Sequence, residues 1–380
     1  MIILAVESSC DETAVALVRD GRTVLADCIA SSVEMHRIYG GVVPEIASRK
    51  HIEVIAQLAD QALEQAGLSR GDIDAVAVTY APGLIGAVLV GVSFAKSVAY
   101  ALGVPLIPVH HVRGHIAANY LAHPDLEPPF VCLCVSGGTS LLVDVKGYTE
   151  MEILGATRDD AAGECFDKIA RVMGLGYPGG APLDRAAQGG NDKAFSLPRV
   201  HIQDAPLDMS FSGLKTAMLN LIHNAQQKGE ELPVADLAAS FSAAVSEELV
   251  PRTMAAAQAK GYGKVAVVGG VAANSRIRRD LEQACQAAGC TLYLPPLKLC
   301  GDNGSMIGSQ GYYEYLAGTR AGTDLNAYAN REISRPYGTG TAPVFPSPVE
   351  KSVESVLNSE KRLRNCEKAT KTGIISSKEF

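Results

Sequence analysis

Residues 2–18 read IILAVESSCDETAVALV, and this stretch decides the fold expected for the rest of the chain. The apolar run at 2–6 predicts a buried strand, and residues 14–18 predict a second strand. Between them, residues 7–13 form a polar turn rich in hydroxyl and carboxylate groups. The stretch therefore predicts a β-hairpin whose tip carries the side chains needed for chemistry.

The pattern returns at residues 130–145, which read FVCLCVSGGTSLLVDV. Each hairpin precedes a third strand, at 22–30 and 152–156, and Ser9 and Ser136 occupy corresponding places. Such a repeat indicates internal duplication. We expect an α/β fold with two lobes, each a mixed sheet flanked by helices, and a nucleotide in the central cleft. The lobes are predicted at residues 1–125 and 126–333.

Length and composition are those of a globular protein with two cores, at 380 residues and 47% hydrophobic content. The net charge of -7 argues against a mainly electrostatic grip on nucleic acid. Nine cysteines without a Cys-x-x-Cys pair favour a reducing, cytoplasmic compartment over a disulfide framework. We expect no signal peptide and no membrane association.

Several segments have helical periodicity. The apolar run 84–102 carries Lys96 and predicts a buried helix rather than a membrane span. A helix over 234–260 is expected to break at Pro251. After about Arg335, Pro, Ser, Thr, Lys and Glu dominate, so residues 334–380 are predicted to form a disordered tail. Further helices are predicted at 46–66, 159–173, 181–188, 214–227 and 275–288, and the turn at 301–304 is predicted to open a final helix to about 316.

His111 and His115 open the helical segment that follows an apolar strand at 104–109. Histidines four apart on a helix have Cβ atoms about 6 Å apart, a spacing that suits one metal ion. Such a pair alone is more typical of the protein surface or core edge. Asp302, in a Gly-Asp-Asn-Gly turn, is a third candidate ligand, although a helix N-cap is its simpler interpretation. Two imidazoles and one carboxylate suit zinc or ferrous iron.

Three turns have the composition expected for binding phosphate through backbone N–H groups. They are Ser8-Ser9-Cys10, Ser136-Gly137-Gly138, and Gly269-Gly270 with Asn274. A single Gly-Gly turn would be weak evidence, but three in a duplicated framework favour a nucleotide site. Three carboxylates beside the Gly- and Pro-rich loop 176–182 are candidate acceptors for ribose or substrate hydroxyls: Asp160, Asp167 and Asp184.

The ordered set of motifs closely resembles the bacterial tRNA N6-adenosine threonylcarbamoyltransferase family, once labelled O-sialoglycoprotein endopeptidase. The resemblance runs from Met1 to about Ala329. The fold it implies is the actin-like ATPase fold. The motifs are ESSCDET at 7–13, GGVVPE at 40–45, PGL at 82–84, the histidine pair, SGG at 136–138, GYPGG at 176–180, FSGLKT at 211–216, GGVAAN at 269–274 and GDNG at 301–304.

The resemblance also implies site residues and partners. It implies one divalent metal per subunit, usually iron, with zinc compatible, and a role for Asp11 in activity. The reaction would use threonylcarbamoyl-AMP and tRNA, with a smaller actin-like paralogue and a P-loop ATPase as partner proteins. The metal ligands implied are His111, His115 and Asp302, and the substrate-binding residues are Val135, Ser136, Gly137, Gly138, Thr139, Asp167, Gly180, Asp184 and Asn274.

The chain departs from the family pattern at two positions, and three other functions compete. Thr139 stands where the family often has His or Asn, and Arg113 replaces a frequent Glu. A metal-dependent glycoprotease would need a Glu after the first histidine, which this chain lacks. A small-molecule kinase of the same fold would not need the histidine pair. A non-enzymatic actin-like scaffold would not need the polar cleft residues.

Overall fold

A computed structural model of the protein describes residues 1–199, 202–335 and 337–338. The predicted disorder of the tail concerns residues that lie almost wholly outside this part of the chain. The first sheet has strand order β3-β2-β1-β4-β5. Its β1 is antiparallel to β2 and parallel to β4. The strands are β1 (Ile2–Glu7), β2 (Glu12–Arg19), β3 (Thr23–Ser31), β4 (Ala75–Ala81) and β5 (Leu106–His110).

The second sheet repeats this topology, with strand order β10-β9-β6-β7-β8. Its central strand β6 is antiparallel to β7 and parallel to β9, as β1 is to β2 and β4. The internal duplication predicted from the two hairpins is therefore confirmed at the level of strand order. The strands are β6 (Phe130–Val135), β7 (Ser140–Val145), β8 (Met151–Ala156), β9 (Lys264–Val268) and β10 (Thr291–Tyr293).

Helices flank both sheets, and most begin within three residues of the predicted positions. The helix predicted from Asp159 begins only at Ala162, because Asp159 accepts hydrogen bonds from the backbone N–H groups of Phe211 and Ser212 instead. The helices are α1 (Val33–His36), α2 (Pro44–Ala66), α3 (Ile85–Leu102), α4 (His111–Ala122), α5 (Ala162–Val172), α6 (Gly180–Ala186), α7 (Ser212–Lys228), α8 (Val234–Lys260), α9 (Ser275–Ala288) and α10 (Gly304–Leu316).

The predicted break at Pro251 is wrong, because α8 continues through this residue. A proline inside a helix removes one backbone hydrogen bond and crowds the preceding turn. Here the residues on both sides are buried in the second core, including Leu249 and Ala256. Tertiary packing of the two halves on the same core therefore outweighs the local cost.

Helix α3 has the length and apolar composition of a membrane span, but a third of it is buried and it packs against β4 and α2. One such helix is equally typical of the interior of a globular protein. Val88 and Val92 are fully buried, whereas Ile85 and Leu89 are about half exposed. The predicted buried helix is therefore buried on one face only, where it packs against β4 and α2, and its outer face is exposed.

Helix α10 packs against β1, β2 and α4 of the first half of the chain, although it follows the second sheet in sequence. Three glycines make this close approach possible. A Cβ on Gly304 would lie 2.8 Å from Ala16, one on Gly308 2.5 Å from Val18, and one on Gly311 2.6 Å from Ala77. The start of α10, with Asp302, is thereby held beside the first sheet.

Candidate metal centre and substrate cleft

The two histidines of the predicted metal site lie in the first turn and a half of α4, where β5 ends. The glycine between them has a packing role. A Cβ on Gly114 would approach the Ile307 side chain of α10 to 2.6 Å, so a larger residue there would require Ile307 to shift. The packing of α4 on α10 brings Asp302 to the histidine pair.

His111, His115 and Asp302 converge on one point. The imidazole centroids are 4.6 Å apart. One Asp302 carboxylate oxygen lies 3.1 Å from His115 Nε2 and 3.5 Å from His111 Nε2. All three ligand atoms lie within 4.8 Å of one another, as ligands of a single cation do. Asn303 provides the N-cap of α10 by accepting from Met306 N–H, so the alternative role of Asp302 as that cap is wrong.

The environment of His115 fits a bound cation. Its Nε2 is shielded from solvent and has no well-directed hydrogen bond within the described part of the chain, despite its short distance to Asp302. A buried polar atom without a partner is costly and calls for an explanation. A divalent metal ion between the imidazole and the carboxylate would supply one. The three side chains thus form a possible metal site.

Glu7 orients the first histidine and is the site residue that sequence reasoning missed. His111 Nδ1 lies 3.2 Å from Glu7 Oε2 and 3.1 Å from Ser9 Oγ, so its Nε2 is turned toward Asp302. The fully buried Glu7 carboxylate also accepts from Ser9 N–H and from the Thr79 hydroxyl. Hydrogen-bonded partners of this kind fix the orientation of metal-binding histidines. The only feature of the sequence that marks Glu7 is that it is a carboxylate at the end of an otherwise apolar strand.

The buried ionisable groups of this cluster shift one another's pKa values. Burial would lower the pKa of His111, but the carboxylates of Glu7 and Asp302 outweigh burial and raise it to about 9. Burial would raise the pKa of Asp302, but His111 and His115 outweigh it and lower the value to about 2. The pocket therefore favours positive charge at the position of the imidazoles, and a metal cation can take the place of the proton.

The first hairpin tip is already hydrogen-bonded within the protein. Ser8 Oγ donates to the Ala87 carbonyl, and Ser9 N–H donates to Glu7. The Ser9 N–H is therefore not available to a phosphate, contrary to the expectation for the Ser8-Ser9-Cys10 turn. Close contact accompanies this bonding, because a Cβ on Gly83 would lie 2.6 Å from the Ser9 carbonyl oxygen.

The second hairpin tip, between β6 and β7, is open. Ser136 N–H donates to the Thr139 carbonyl and closes the turn. Gly137 and Gly138 are exposed, and open space surrounds the position of a Cβ at each. Their N–H groups have no hydrogen-bond partner within the described residues. Val135 ends the strand below, where a Cβ on Gly269 would meet its carbonyl oxygen at 2.3 Å.

The remaining predicted substrate residues lie in the second half of the chain. Asp167 accepts from Gly179 N–H at 2.7 Å, next to Gly180 at the start of α6. Asp184 accepts from both N–H and Oγ of Ser275. Asn274 caps α9 by accepting from Ile277 N–H. Each therefore accepts at least one hydrogen bond from within the protein, and Asp160 is paired with Lys215.

The charge of Asp11 acts on the groups around Asp167. Burial is the largest cause that raises the pKa of Tyr177, and the carboxylates of Asp11 and Asp167 follow. Burial also raises the pKa of Glu12 to about 9, with the neighbouring Asp11 charge as the next cause. Besides burial, the carboxylate of Asp11 is therefore near enough to Tyr177 and Asp167 to raise the pKa of both.

Arg113 points away from the metal centre. Its guanidinium is buried, donates to the Ile333 carbonyl through Nε and Nη2, and pairs with Glu314 at 2.8 Å. A residue between the histidines that serves as a catalytic base would have to face the metal. The departure from the family pattern at this position thus serves the packing of α4 on the last segment of the chain.

Sequence comparisons agree with this geometry. The family model described as tRNA N6-adenosine threonylcarbamoyltransferase matches residues 23–309. A protein of that name from Moorella thermoacetica is 55% identical over 325 residues, which span 86% of this chain and 95% of the relative. One from Clostridium botulinum is 52% identical over 331 residues, spanning 87% and 97%.

Solved structures establish the fold class. T. kodakarensis HypF matches with a TM-score of 0.58 and 16% identity, over 83% of this chain and 48% of that chain. Full-length HypF in a phosphate- and nucleotide-bound form gives 0.55 and 15%, over 83% and 46%. At such identities the likeness concerns the fold alone. With the two duplicated sheets it confirms the predicted actin-like ATPase fold.

Proposed function

Because the chain belongs to the tRNA N6-adenosine threonylcarbamoyltransferase family, we propose that its cleft carries out the transfer for which that family is named. The chain is a transferase that modifies tRNA. It moves the L-threonylcarbamoyl group from threonylcarbamoyl-AMP to N6 of the adenosine immediately 3′ of the anticodon, in tRNAs that read codons beginning with A. The observation that carries this function is about 50% identity over nearly the whole length of its relatives.

The metal in our proposal is iron(II), held by His111, His115 and Asp302, and zinc is the alternative for the same ligands. When bound there, the cation would supply Lewis acidity toward the carbamoyl carbonyl and the departing phosphate. The chain's own contribution begins with Glu7, which holds His111 in the orientation that presents Nε2.

The donor's phosphate binds at the second hairpin tip in this proposal, since the N–H groups of Gly137 and Gly138 have no hydrogen-bond partner within the described residues. Asp11 accepts the proton of the attacking adenosine amine, as general base catalysis requires. Its place at the first hairpin tip, opposite the 176–180 loop, supports this role. The other substrate contacts proposed are Val135, Ser136, Thr139, Asp167, Gly180, Asp184 and Asn274.

The lobes proposed for this chain are residues 1–125 and 126–333, although α10 packs on the first sheet. The reaction implies tRNA and threonylcarbamoyl-AMP as substrates. We infer a cytoplasmic location, no membrane partner, and two partner proteins: a smaller actin-like paralogue and a P-loop ATPase. The peptidase alternative gains nothing from the structure, because Arg113 is turned away from the histidines.

The test is mass spectrometry of nucleosides from tRNA incubated with the full chain, threonylcarbamoyl-AMP and the partner proteins. We expect N6-threonylcarbamoyladenosine to form only when the chain is present. A matched reaction with tRNA that has guanosine at the acceptor position should give none. Absence of the modified nucleoside from the complete reaction would refute the proposed function.

A further inference from the structure

The turn at residues 37–40 follows α1 and leads into the GGVVPE motif, to which the proposed reaction assigns no role. Ile38 is 82% exposed, more than any other large apolar residue in the described part of the chain, and Tyr39 is 58% exposed. Single apolar residues are common on protein surfaces, so exposure alone assigns no function. What distinguishes this turn is that its backbone is firmly held while these two side chains remain largely in solvent.

A chain of hydrogen bonds holds the turn against the first hairpin tip. The fully buried His36 imidazole accepts from Val43 N–H through Nδ1, and its Nε2 lies 3.0 Å from Ser32 Oγ. Ser32 donates to the Asp11 carbonyl from both its N–H and its hydroxyl, at 2.8 Å each. The segment 32–43 is therefore fixed beside Asp11, the residue proposed to accept the proton of the attacking amine.

The second half of the chain meets the same turn through α5. The position of a Cβ on Gly40 lies 3.1 Å from Arg171 Nη1 and 3.3 Å from Arg171 Cδ. Arg171 is one helical turn beyond Asp167, on the same face of α5. Because neighbouring Cα atoms are about 3.8 Å apart, Tyr39 Cα lies within about 9 Å of this guanidinium. The turn therefore contacts both halves of the chain, the Asp11 hairpin of the first and α5 of the second.

The Arg171 guanidinium is available to a ligand. Arg171 is exposed and makes no hydrogen bond or ion pair through its side chain within the described residues. Arg37 at the start of the turn is instead paired with Glu34. Lys168, earlier on α5, is paired with Glu164. An anion at this surface therefore meets a guanidinium whose donors are all unused.

An exposed ring beside a guanidinium of this kind fits single-stranded RNA. Proteins bind unpaired bases by stacking them on aromatic rings, and arginine binds the neighbouring phosphates. The net charge of -7 provides no long-range attraction for RNA, so its affinity has to come from local contacts. A protein partner is a poorer match, because a stable protein interface buries about 800 Å² on each side and the turn offers only two large apolar side chains.

We propose that the turn 37–40 and Arg171 bind the single-stranded loop of the acceptor RNA, with one base of that loop stacked on Tyr39 and a neighbouring phosphate paired with Arg171. The proposal rests on the proposed function, because Asp11 accepts a proton only from an RNA that reaches the first hairpin tip. It adds the surface on which that RNA lies. The hydrogen bonds through His36 hold this surface in place before the RNA arrives, which reduces the entropy lost on binding.

The first test removes the aromatic ring. Binding of end-labelled tRNA to the full chain with its partner proteins is measured by fluorescence anisotropy. We expect Tyr39→Ala to raise the Kd for tRNA about 5- to 150-fold, the worth of one base stacked on an aromatic side chain. Tyr39→Phe is the matched control, because it keeps the ring and should bind tRNA as the wild type does. The KM for threonylcarbamoyl-AMP should be unchanged in both variants.

The second test removes the charge. Each phosphate contact to a single strand contributes a slope of about -0.7 to log K against log salt, so Arg171→Gln should reduce the salt dependence of tRNA binding by about that amount. Arg19→Gln is the control, because Arg19 is exposed, has no ion pair in the described part of the chain, and lies at the end of β2 away from the hairpin tip. It should leave both the affinity and the salt dependence unchanged.

A fully paired RNA duplex distinguishes stacking from a general loss of binding. It offers no unstacked base, so we expect it to bind the wild type and Tyr39→Ala with equal affinity. A loss of affinity for the duplex as large as the loss for tRNA would show that Tyr39 does not stack a base, and would overturn the proposed binding mode.

The outcomes separate this surface from the proposed function. If the wild type forms no modified nucleoside, the proposed function fails, and the surface is judged on binding alone. If the wild type modifies tRNA, a Tyr39→Ala or Arg171→Gln variant that binds tRNA as the wild type does refutes its own contact. The surface proposal also fails if Tyr39→Ala weakens association with a partner protein, followed by size-exclusion chromatography, and leaves the affinity for tRNA unchanged. A thermal midpoint equal to that of the wild type shows that each variant is folded.

Discussion

The turns β1–β2 and β6–β7 occupy corresponding places in the two sheets, but their polar groups have different partners. At the first turn, Ser9 N–H donates to Glu7, Ser8 Oγ donates to Ala87 of α3, and Glu7 and Ser9 both contact His111. At the second, the N–H groups of Gly137 and Gly138 have no partner within the described residues. The two hairpins therefore have the same backbone topology but different uses. The first is suited to orienting a metal-binding histidine, and the second is suited to binding a phosphate group.

The two turns also share one feature, a glycine supplied by the turn after the neighbouring parallel strand. Gly83, after β4, lies against the Ser9 carbonyl, and Gly269, after β9, lies against the Val135 carbonyl. A side chain at either position would meet backbone at less than 3 Å. The duplication thus extends to the contacts that hold each hairpin tip, and only the chemistry of the tips differs.

The largest effect is expected from removing a metal ligand beside the first turn. We expect His115→Ala to lower transfer more than about 100-fold, since loss of an outer-shell partner alone costs about 10- to 100-fold. Metal content, measured by elemental mass spectrometry, should fall with activity. His123→Ala, at the end of the same helix, should keep both. Full metal content in His115→Ala would contradict the assigned ligand set.

Glu7→Gln keeps the shape of the first turn and removes its charge. The neutral amide holds His111 less firmly and no longer raises its basicity, so we expect metal affinity to fall about 10- to 100-fold. Competition with a chelator measures this affinity. An unchanged affinity would mean that the first turn is only structural and that its difference from the second has no chemical consequence.

Gly269→Ala tests the packing contact that the two turns share. Its φ of 92° and the 2.3 Å approach of a Cβ to the Val135 carbonyl predict a loss of about 1–3 kcal/mol in the free energy of unfolding. Chemical denaturation measures it. The adjacent Gly270→Ala is the control, because open space surrounds its Cβ position. Equal stability of the two variants would refute the contact.

The smallest effect is expected at the open turn itself. Gly138→Ala meets open space and lacks a positive φ, so we expect the free energy of unfolding to change by less than about 1 kcal/mol. A methyl group beside the phosphate should nevertheless raise the KM for threonylcarbamoyl-AMP by about threefold. A KM equal to that of the wild type would indicate that the phosphate binds elsewhere in the cleft.

Much of the fold was predictable because its signals are local. Apolar runs mark β1, β4 and β6, and the repeated hairpin pattern predicted two mixed sheets built alike, as observed. The predicted break at Pro251 was wrong and the predicted burial of α3 holds for one face only, because propensity and hydropathy do not report which layer covers a segment. Likewise, no local sequence pattern predicts that α10 packs against the first sheet.

The sequence by itself determined which residue types were available: a histidine pair at helical spacing, a carboxylate before a helix, and glycines in the turns. Tertiary structure alone decided which of them meet. Asp302 reaches His111 only because Gly114 and the glycines of α10 let two helices pack closely, and Glu7 orients that histidine only because β1 ends beside it. Contacts between distant segments depend on packing in three dimensions, and one-dimensional periodicity does not contain that information.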